Sequence, residues 1–237
     1  MSDSSKTDTS KASFYLDSAS LPQGKRRSFS FGLRGGISIG KFSIANAQEN
    51  DQNETGVGSA ITFFTNHRIS SHFSIQPEIN IGNYRSNNTL YQVALTEGTV
   101  DYSISSYDFN LLGVYSYPIK DWFSVSLEAG GSVAYLHSSF GKVIAPNIQL
   151  GSFYDVDSDN QFEELNYGLL VGIVPSFNFK NVSIQTSLRY RYGLNNINTF
   201  DYRLNRYLSN PERTIQTRDF IIQIGFFVPF YKKVVDK

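Results

Sequence analysis

The chain has 237 residues, 21 basic and 21 acidic side chains, no cysteine and three histidines. A formal net charge of zero without a dense Lys/Arg block offers no field for a polyanion, so nucleic acid is not expected as a partner. The missing cysteines exclude disulfides, thiolate metal sites and a cysteine nucleophile, and a histidine metal site would need nearly every histidine.

Aromatic residues make up 15% of the chain although its mean hydropathy is negative, an unusual pairing for a protein with an ordinary core. No apolar run reaches the roughly 18 residues of a membrane-spanning helix, a criterion that leaves a membrane β-barrel open. The polar stretch after Met1 reads as a mature chain whose export signal has been replaced by a start residue. Residues 1–27, rich in Ser, Lys, Asp and Thr, read as a flexible tail.

From Ser28 the apolar residues recur with a period of two. Residues 28–40 put Phe29, Phe31, Leu33, Ile37 and Ile39 on one face, with Ser30, Gly32, Arg34, Gly36 and Ser38 on the other. Comparable strands are predicted at 56–66, 73–83, 100–117, 122–137, 164–179, 182–194 and 218–230, with a bulge near Ser105-Ser106 where the parity of the fourth breaks. Short links at 66–72, 118–121 and 180–181 separate long loops at 43–55, 84–99, 138–163 and 195–217, so the long loops gather at one end.

Two features decide which face is inside. A soluble eight-stranded carrier would bury its apolar face, but here the polar face carries Gly32, Gly36, Gly58, Gly130, Gly172 and Gly225, small residues suited to a narrow lumen. The apolar face instead gathers aromatics at the strand ends, with Phe29, Phe31, Trp122 and Phe123 at the short-turn end and Tyr84, Tyr135, Tyr190 and Tyr192 towards the long loops. These read as the two aromatic girdles of an outer-membrane barrel, whose closure leaves no backbone group unpaired in lipid. The predicted fold is therefore all-β, an eight-stranded antiparallel up-and-down transmembrane barrel over 28–230, with a periplasmic tail at 1–27 and a short tail at 231–237. An even strand number places both termini on the periplasmic side.

Phe31-Gly32-Leu33-Arg34-Gly35-Gly36, Ile75-Gln76-Pro77-Glu78-Ile79, the Tyr107 to Pro118 strand and turn, and the Tyr167 to Gly193 strand pair resemble the PorT-like outer-membrane β-barrel family of Bacteroidetes-type envelopes. Gln223-Ile224-Gly225-Phe226-Phe227-Val228-Pro229-Phe230 resembles the terminal-strand signal read by barrel-assembly machinery, carried by Gln223, Gly225, Val228 and Phe230. The resemblance implies a non-enzymatic scaffold or accessory subunit in envelope secretion or outer-membrane assembly. Its partners would be outer-membrane lipid and a larger envelope protein complex, without cofactor, nucleic acid or small-molecule substrate. A stand-alone barrel for envelope integrity is the alternative.

On the polar face Arg34, Arg189 and Arg191 stand with Glu78, Asp108, Glu128, Glu164 and Asp219, charges expected to pair across the lumen and plug it. His137 and Ser139 form a His-x-Ser pair reminiscent of lipid A deacylases, with Glu164 the nearest acid; simple rim polarity is the expected reading. Asp155, Asp157 and Asp159 alternate as Ca²⁺ ligands would, but without the glycine and distal glutamate of a hand-like loop, so a solvated acidic loop is expected. His67 and His72 should be solvated in a turn, and Gly35, Ser59 and Thr186 interrupt the apolar belt as candidate contact points for a partner.

Overall fold

A computed structural model describes residues 25–45, 54–93, 96–144, 154–157, 162–179, 181–197 and 214–233. They form β1 (Lys25–Ala45), β2 (Glu54–Arg68), β3 (Phe73–Val93), β4 (Thr96–Lys120), β5 (Phe123–Ile144), β6 (Tyr154–Asp157), β7 (Leu165–Asn178), β8 (Ser183–Gly193) and β9 (Thr214–Lys233). All pairings are antiparallel; the order β4-β3-β2-β1-β9-β8-β7-β5 closes on itself through β4–β5. Eight strands thus make a closed barrel, and β6 only extends the upper end of β5 by pairing with Phe140–Val143. None of the described elements is a helix long and apolar enough to cross a membrane.

Burial follows the period of two. On β2 residues 56, 58, 60, 62 and 64 are buried while Val57, Ile61 and Phe63 are exposed, and the same alternation runs along β3, β7 and β8. The exposed face is the apolar one: Phe109, Leu111, Leu127, Leu169, Val171 and Ile224 are all more than half exposed. Such a face is stable only against lipid, and only a sheet without edges can carry it there, because an unpaired backbone group in hydrocarbon costs several kcal/mol.

The strands are longer than alternation predicts. β1 starts at Lys25 and pairs Lys25–Arg27 with Tyr231–Lys233, so both predicted tails lose three residues to the barrel wall. The loop expected at 84–99 is instead mostly the β3–β4 hairpin, paired as far as Val93 and Thr96 with a register shift between Ser86 and Thr89. Beyond the membrane a ladder needs backbone hydrogen bonds but no apolar face, so its period of two vanishes from the sequence while the strand continues. β4 has 25 residues and β3 has 21, against the roughly 9–11 that span a bilayer.

The register shift falls at Ser105/Ser106, where the sequence places it, but the extra residue lies on the partner strand. β4 keeps its parity, with Ile104, Ser106 and Asp108 all buried, and the extra residue is His137 on β5, since Ser105 pairs with Ser138 but Ser106 with Leu136. The apparent break arose because Ile104 is an apolar residue facing inward. It belongs to a cluster with Phe42, Tyr84, Ala134, Leu136, Phe162 and Ile197 that fills the lumen at the long-loop end.

Candidate functional site

The lumen holds two stacked charge clusters. In the lower one Arg34 from β1 and Arg189 from β8 share Glu78 from β3 and Glu128 from β5, and all four side chains are almost fully buried. Arg34 Nη2 donates to Glu78 Oε1 at 2.5 Å and Nη1 to Glu128 Oε1 at 3.5 Å. Arg189 reaches both acids: Nη1 and Nη2 donate to the two Glu78 oxygens at 2.8 Å, and Nε and Nη2 to Glu128 Oε2 at 2.9 and 2.5 Å. Gln76 Nε2 donates to Glu78 at 2.8 Å and Glu128 at 3.0 Å, Asn110 Nδ2 to Glu78 at 3.3 Å, and the Phe64 ring lies 4.3 Å from the Arg34 guanidinium. Two positive and two negative groups cancel, which is the condition for tolerating them away from water.

Glycines make the room. Gly172 on β7 lies between Glu128 and Arg189 in register, and a Cβ there would sit 2.8 Å from Arg189 Cγ. Gly225 on β9 faces Arg34, and a Cβ there would lie 2.7 Å from Arg34 Cα. The long arginines can therefore lie across the neighbouring strand instead of standing on end in a lumen too narrow for them.

In the upper cluster Arg191 pairs with Asp108 through Nη1 and with Asp219 through Nη2 and Nε at 3.2 Å. Asn80 Nδ2 donates to Asp108 at 2.8 Å, and Tyr84 Oη donates to the same carboxylate at 3.4 Å. The Tyr84 ring lies 3.9 Å from the Arg191 guanidinium, so this tyrosine, predicted for the outer aromatic girdle, belongs to the interior. Of the predicted charges, Arg34, Glu78, Glu128 and Arg189 thus meet in the lower cluster and Asp108, Arg191 and Asp219 in the upper one. Glu164 is not: it is exposed before β7, where its carbonyl accepts from Leu136 N at 2.7 Å.

The lumen ends differently on its two sides. Above the upper cluster the apolar group around Ile104, Leu136 and Phe162 closes it. Below the lower cluster a chamber of about 320 Å³ opens among the short turns, with Gln76 and Glu128 at its floor and Ser30, Ser74, Ser176 and Gln185 on its walls. The alternation read from the sequence named the charges, but not the inward Phe64, Leu112, Val114, Leu170 and Val174 that pack between them. The available signal was parity: Leu112 and Val114 share the phase of Asp108 on β4, Phe64 that of Gly58 and Thr62 on β2, and Leu170 and Val174 that of Gly168 and Gly172 on β7.

On the outer face Phe31, Trp122, Tyr135, Tyr190 and Tyr192 are exposed and Phe29 and Phe123 half-buried. At the short-turn end Trp122, Phe123 and Phe177 form one aromatic group with ring centroids 5.3–5.9 Å apart. Of the terminal-strand residues, Gln223 is buried and donates to Thr62 Oγ1 at 2.8 Å, while Val228 and Phe230 face outward, Phe230 lying 5.7 Å from Phe29. His137 stacks on Tyr107 at 4.5 Å; the side chain of Ser139 lies outside the described residues, as do those of the Asp155 to Asn160 stretch. His67 and His72 are exposed, His72 against Tyr115 at 5.9 Å. Gly35 has open space where a Cβ would be, Ser59 donates to Asn83 Oδ1 at 2.9 Å, and Thr186 is half-buried.

The family described as outer membrane protein beta-barrel domain matches residues 19–198. No curated protein matches the sequence. Among solved structures the chain is similar to Neisserial surface protein A, at 17% identity over 84% of this chain and 97% of that one with a TM-score of 0.46. It is also similar to OprG from Pseudomonas aeruginosa, at 12% identity over 86% and 97% with a TM-score of 0.49. A major outer membrane protein from Thermus thermophilus gives 12% identity over 86% and 100% with a TM-score of 0.47.

Proposed function

Because the chain belongs to the outer membrane protein beta-barrel domain family, and is an integral barrel of that membrane, we propose that it works through its surfaces and not through its lumen. The reading is a non-enzymatic scaffold or accessory subunit of an envelope protein-secretion or outer-membrane assembly complex, within the PorT-like branch of such barrels. The observation that supports it is the double charge cluster under an apolar cap. Among the described residues the lumen is filled with side chains, as an eight-stranded barrel allows, which favours the outer wall and the two barrel ends as working surfaces. A larger envelope protein is then the partner, and Gly35, with nothing standing above it on the wall, is a place where another surface could approach closely.

The test is purification of the tagged protein from its native envelope in mild detergent, with bound proteins identified by mass spectrometry and conductance of the pure barrel measured in planar bilayers. A stoichiometric large partner and a silent bilayer are expected. A barrel recovered alone, or steady single-channel currents, would remove the scaffold reading. A change in lipid acylation that disappears in His137→Ala would replace it with an enzymatic one.

A further inference from the structure

The chamber at the short-turn end is walled by all eight barrel strands, and most of what they present to it is hydroxyl and amide. Its charged lining residues stand at the two ends. At the mouth Arg68 donates to the carbonyls of Ser70 and Ser71, Lys120 lies over the Trp122 ring, and Asp121 is exposed in the turn. At the floor Glu128 is taken up by Arg34, Arg189 and Gln76. Between these ends the described lining is uncharged.

Much of that lining is satisfied within itself. Asn66 Nδ2 donates to Ser74 Oγ at 2.9 Å and to Gln76 Oε1 at 3.0 Å, Asn178 Nδ2 donates to Ser124 Oγ at 3.1 Å, and the hydroxyls of Ser116 and Ser126 share a bond of 2.8 Å. The wall made by β7, β8, β9 and β1 differs. Gln185 on β8 is only 5% exposed, yet its Nε2 has no acceptor among the described residues. Ser176, its partner in register on β7, and Ser30 on β1 are as deeply buried and bond to no described side chain. On β9 the half-buried Phe227 lines the same wall, its ring edge-on to Phe64 at 6.5 Å.

These groups select the guest. An unpaired buried donor is costly until something accepts from it, so an apolar guest would leave the cost of Gln185 in place. An anion would meet Glu128. Amide and hydroxyl groups donate and accept at once, as every hydroxyl of a sugar does, and the electron-rich face of a phenyl ring takes the polarised C–H bonds of a pyranose. A volume of about 320 Å³ holds on the order of ten waters at about 30 Å³ each, room enough for one sugar ring.

We propose that this chamber is a binding site for a neutral, hydroxyl-rich ligand, a sugar ring that enters from the short-turn side. Gln185, Ser176 and Ser30 bond its hydroxyls, and Phe227 is the platform for its C–H face.

The test is saturation-transfer NMR of the full chain in lauryldimethylamine oxide, a detergent without a sugar headgroup, with methyl glucoside and N-acetylglucosamine as probes and cyclohexanol as the control ring. Transfer to a sugar and millimolar affinity are expected. Gln185→Leu should weaken binding about tenfold while leaving the barrel as stable or more so, because it removes an unpaired donor. Ser187→Ala should bind normally, since Ser187 Oγ is also buried and unpaired but lies outside the chamber. Circular dichroism checks folding, and Ser176→Ala, with an expected loss of about threefold, replaces a Gln185→Leu chain that does not fold. Absence of transfer to both sugars in the full chain, unchanged affinity in Gln185→Leu, loss of binding in Ser187→Ala, or cyclohexanol bound as tightly as the sugars would each overturn the assignment.

Discussion

Replacing Glu78 by Gln tests whether the lower cluster is a coupled, dry unit. The substitution keeps the shape of the side chain but removes one of two negative charges, leaving Arg34 and Arg189 to share Glu128 alone. Glu78 accepts three arginine bonds through both of its oxygens, at 2.5, 2.8 and 2.8 Å; glutamine keeps one acceptor oxygen, so the arginine N–H facing its NH2 loses its bond, at about 1–3 kcal/mol, the others lose an anionic acceptor, and the two buried guanidinium groups now repel. The expected cost is about 3–5 kcal/mol, the range for a buried ion pair that loses one partner. Arg34→Met creates the opposite imbalance, with a cost of about 3 kcal/mol. The double variant restores neutrality and keeps the Arg189–Glu128 pair at 2.5 Å, so it should be more stable than the sum of the two by about 2–3 kcal/mol. Equilibrium urea unfolding of the barrel in vesicles, followed through its single tryptophan, Trp122, reads all four corners of the cycle. Additivity within about 0.5 kcal/mol would mean that the charges are independently solvated and that the lumen is not plugged.

Leu111→Arg on the outer wall should destabilise the barrel by about 2–4 kcal/mol in bilayers, whereas Phe230→Arg at the short-turn end should cost at most about 1 kcal/mol in charge terms; equal costs would mean that the lipid-facing belt is centred elsewhere. Gly172→Ala should cost about 1–3 kcal/mol by pushing Arg189 off Glu128, and Gly131→Ala, where a Cβ meets open space, should be nearly silent; the same unfolding assay separates them, and similar losses would refute the packing role of Gly172. Ile104→Asp, which puts a lone charge into the apolar cap beside Tyr84, should cost more than about 3 kcal/mol or prevent folding, and a fully stable variant would show that water reaches the cap.

What the sequence reveals depends on where each segment sits. Within the membrane, lipid outside and a narrow lumen inside impose opposite demands on alternate residues, so Phe29 to Ile39 or Leu165 to Phe177 can be assigned to faces by parity alone. Above the membrane that contrast is gone: Arg85 to Val93 is strand, yet without lipid outside and a narrow lumen inside any order of polar and apolar residues is permitted. The charges of the lumen were legible because nothing else explains an arginine between two apolar neighbours in a lipid-facing strand. Their pairing was not, because Arg189 meets Glu78 across 111 positions through a register that only closure of the barrel sets. The inward Ile104 misled the reading for a related reason. An apolar residue facing the lumen looks like a shift of phase until the cap it belongs to is assembled.

The same geometry explains why charges fill a space that leucines could fill. A barrel apolar on both faces would consist of strands with continuous apolar runs, and a run long enough to resemble a membrane-spanning helix would be held in the first membrane the chain meets. Alternating Arg34, Glu78, Glu128 and Arg189 with the outer apolar residues keeps every strand too polar for that, at the cost of desolvating the charges once the barrel closes. The cost is offset only when all four groups meet, so neither a strand nor a hairpin gains from entering hydrocarbon alone, and only the closed sheet is stable there. A glycine opposite each of the two lower arginines is part of this arrangement: Gly172 and Gly225 let Arg189 and Arg34 reach acids on other strands, so closure and charge neutralisation happen together.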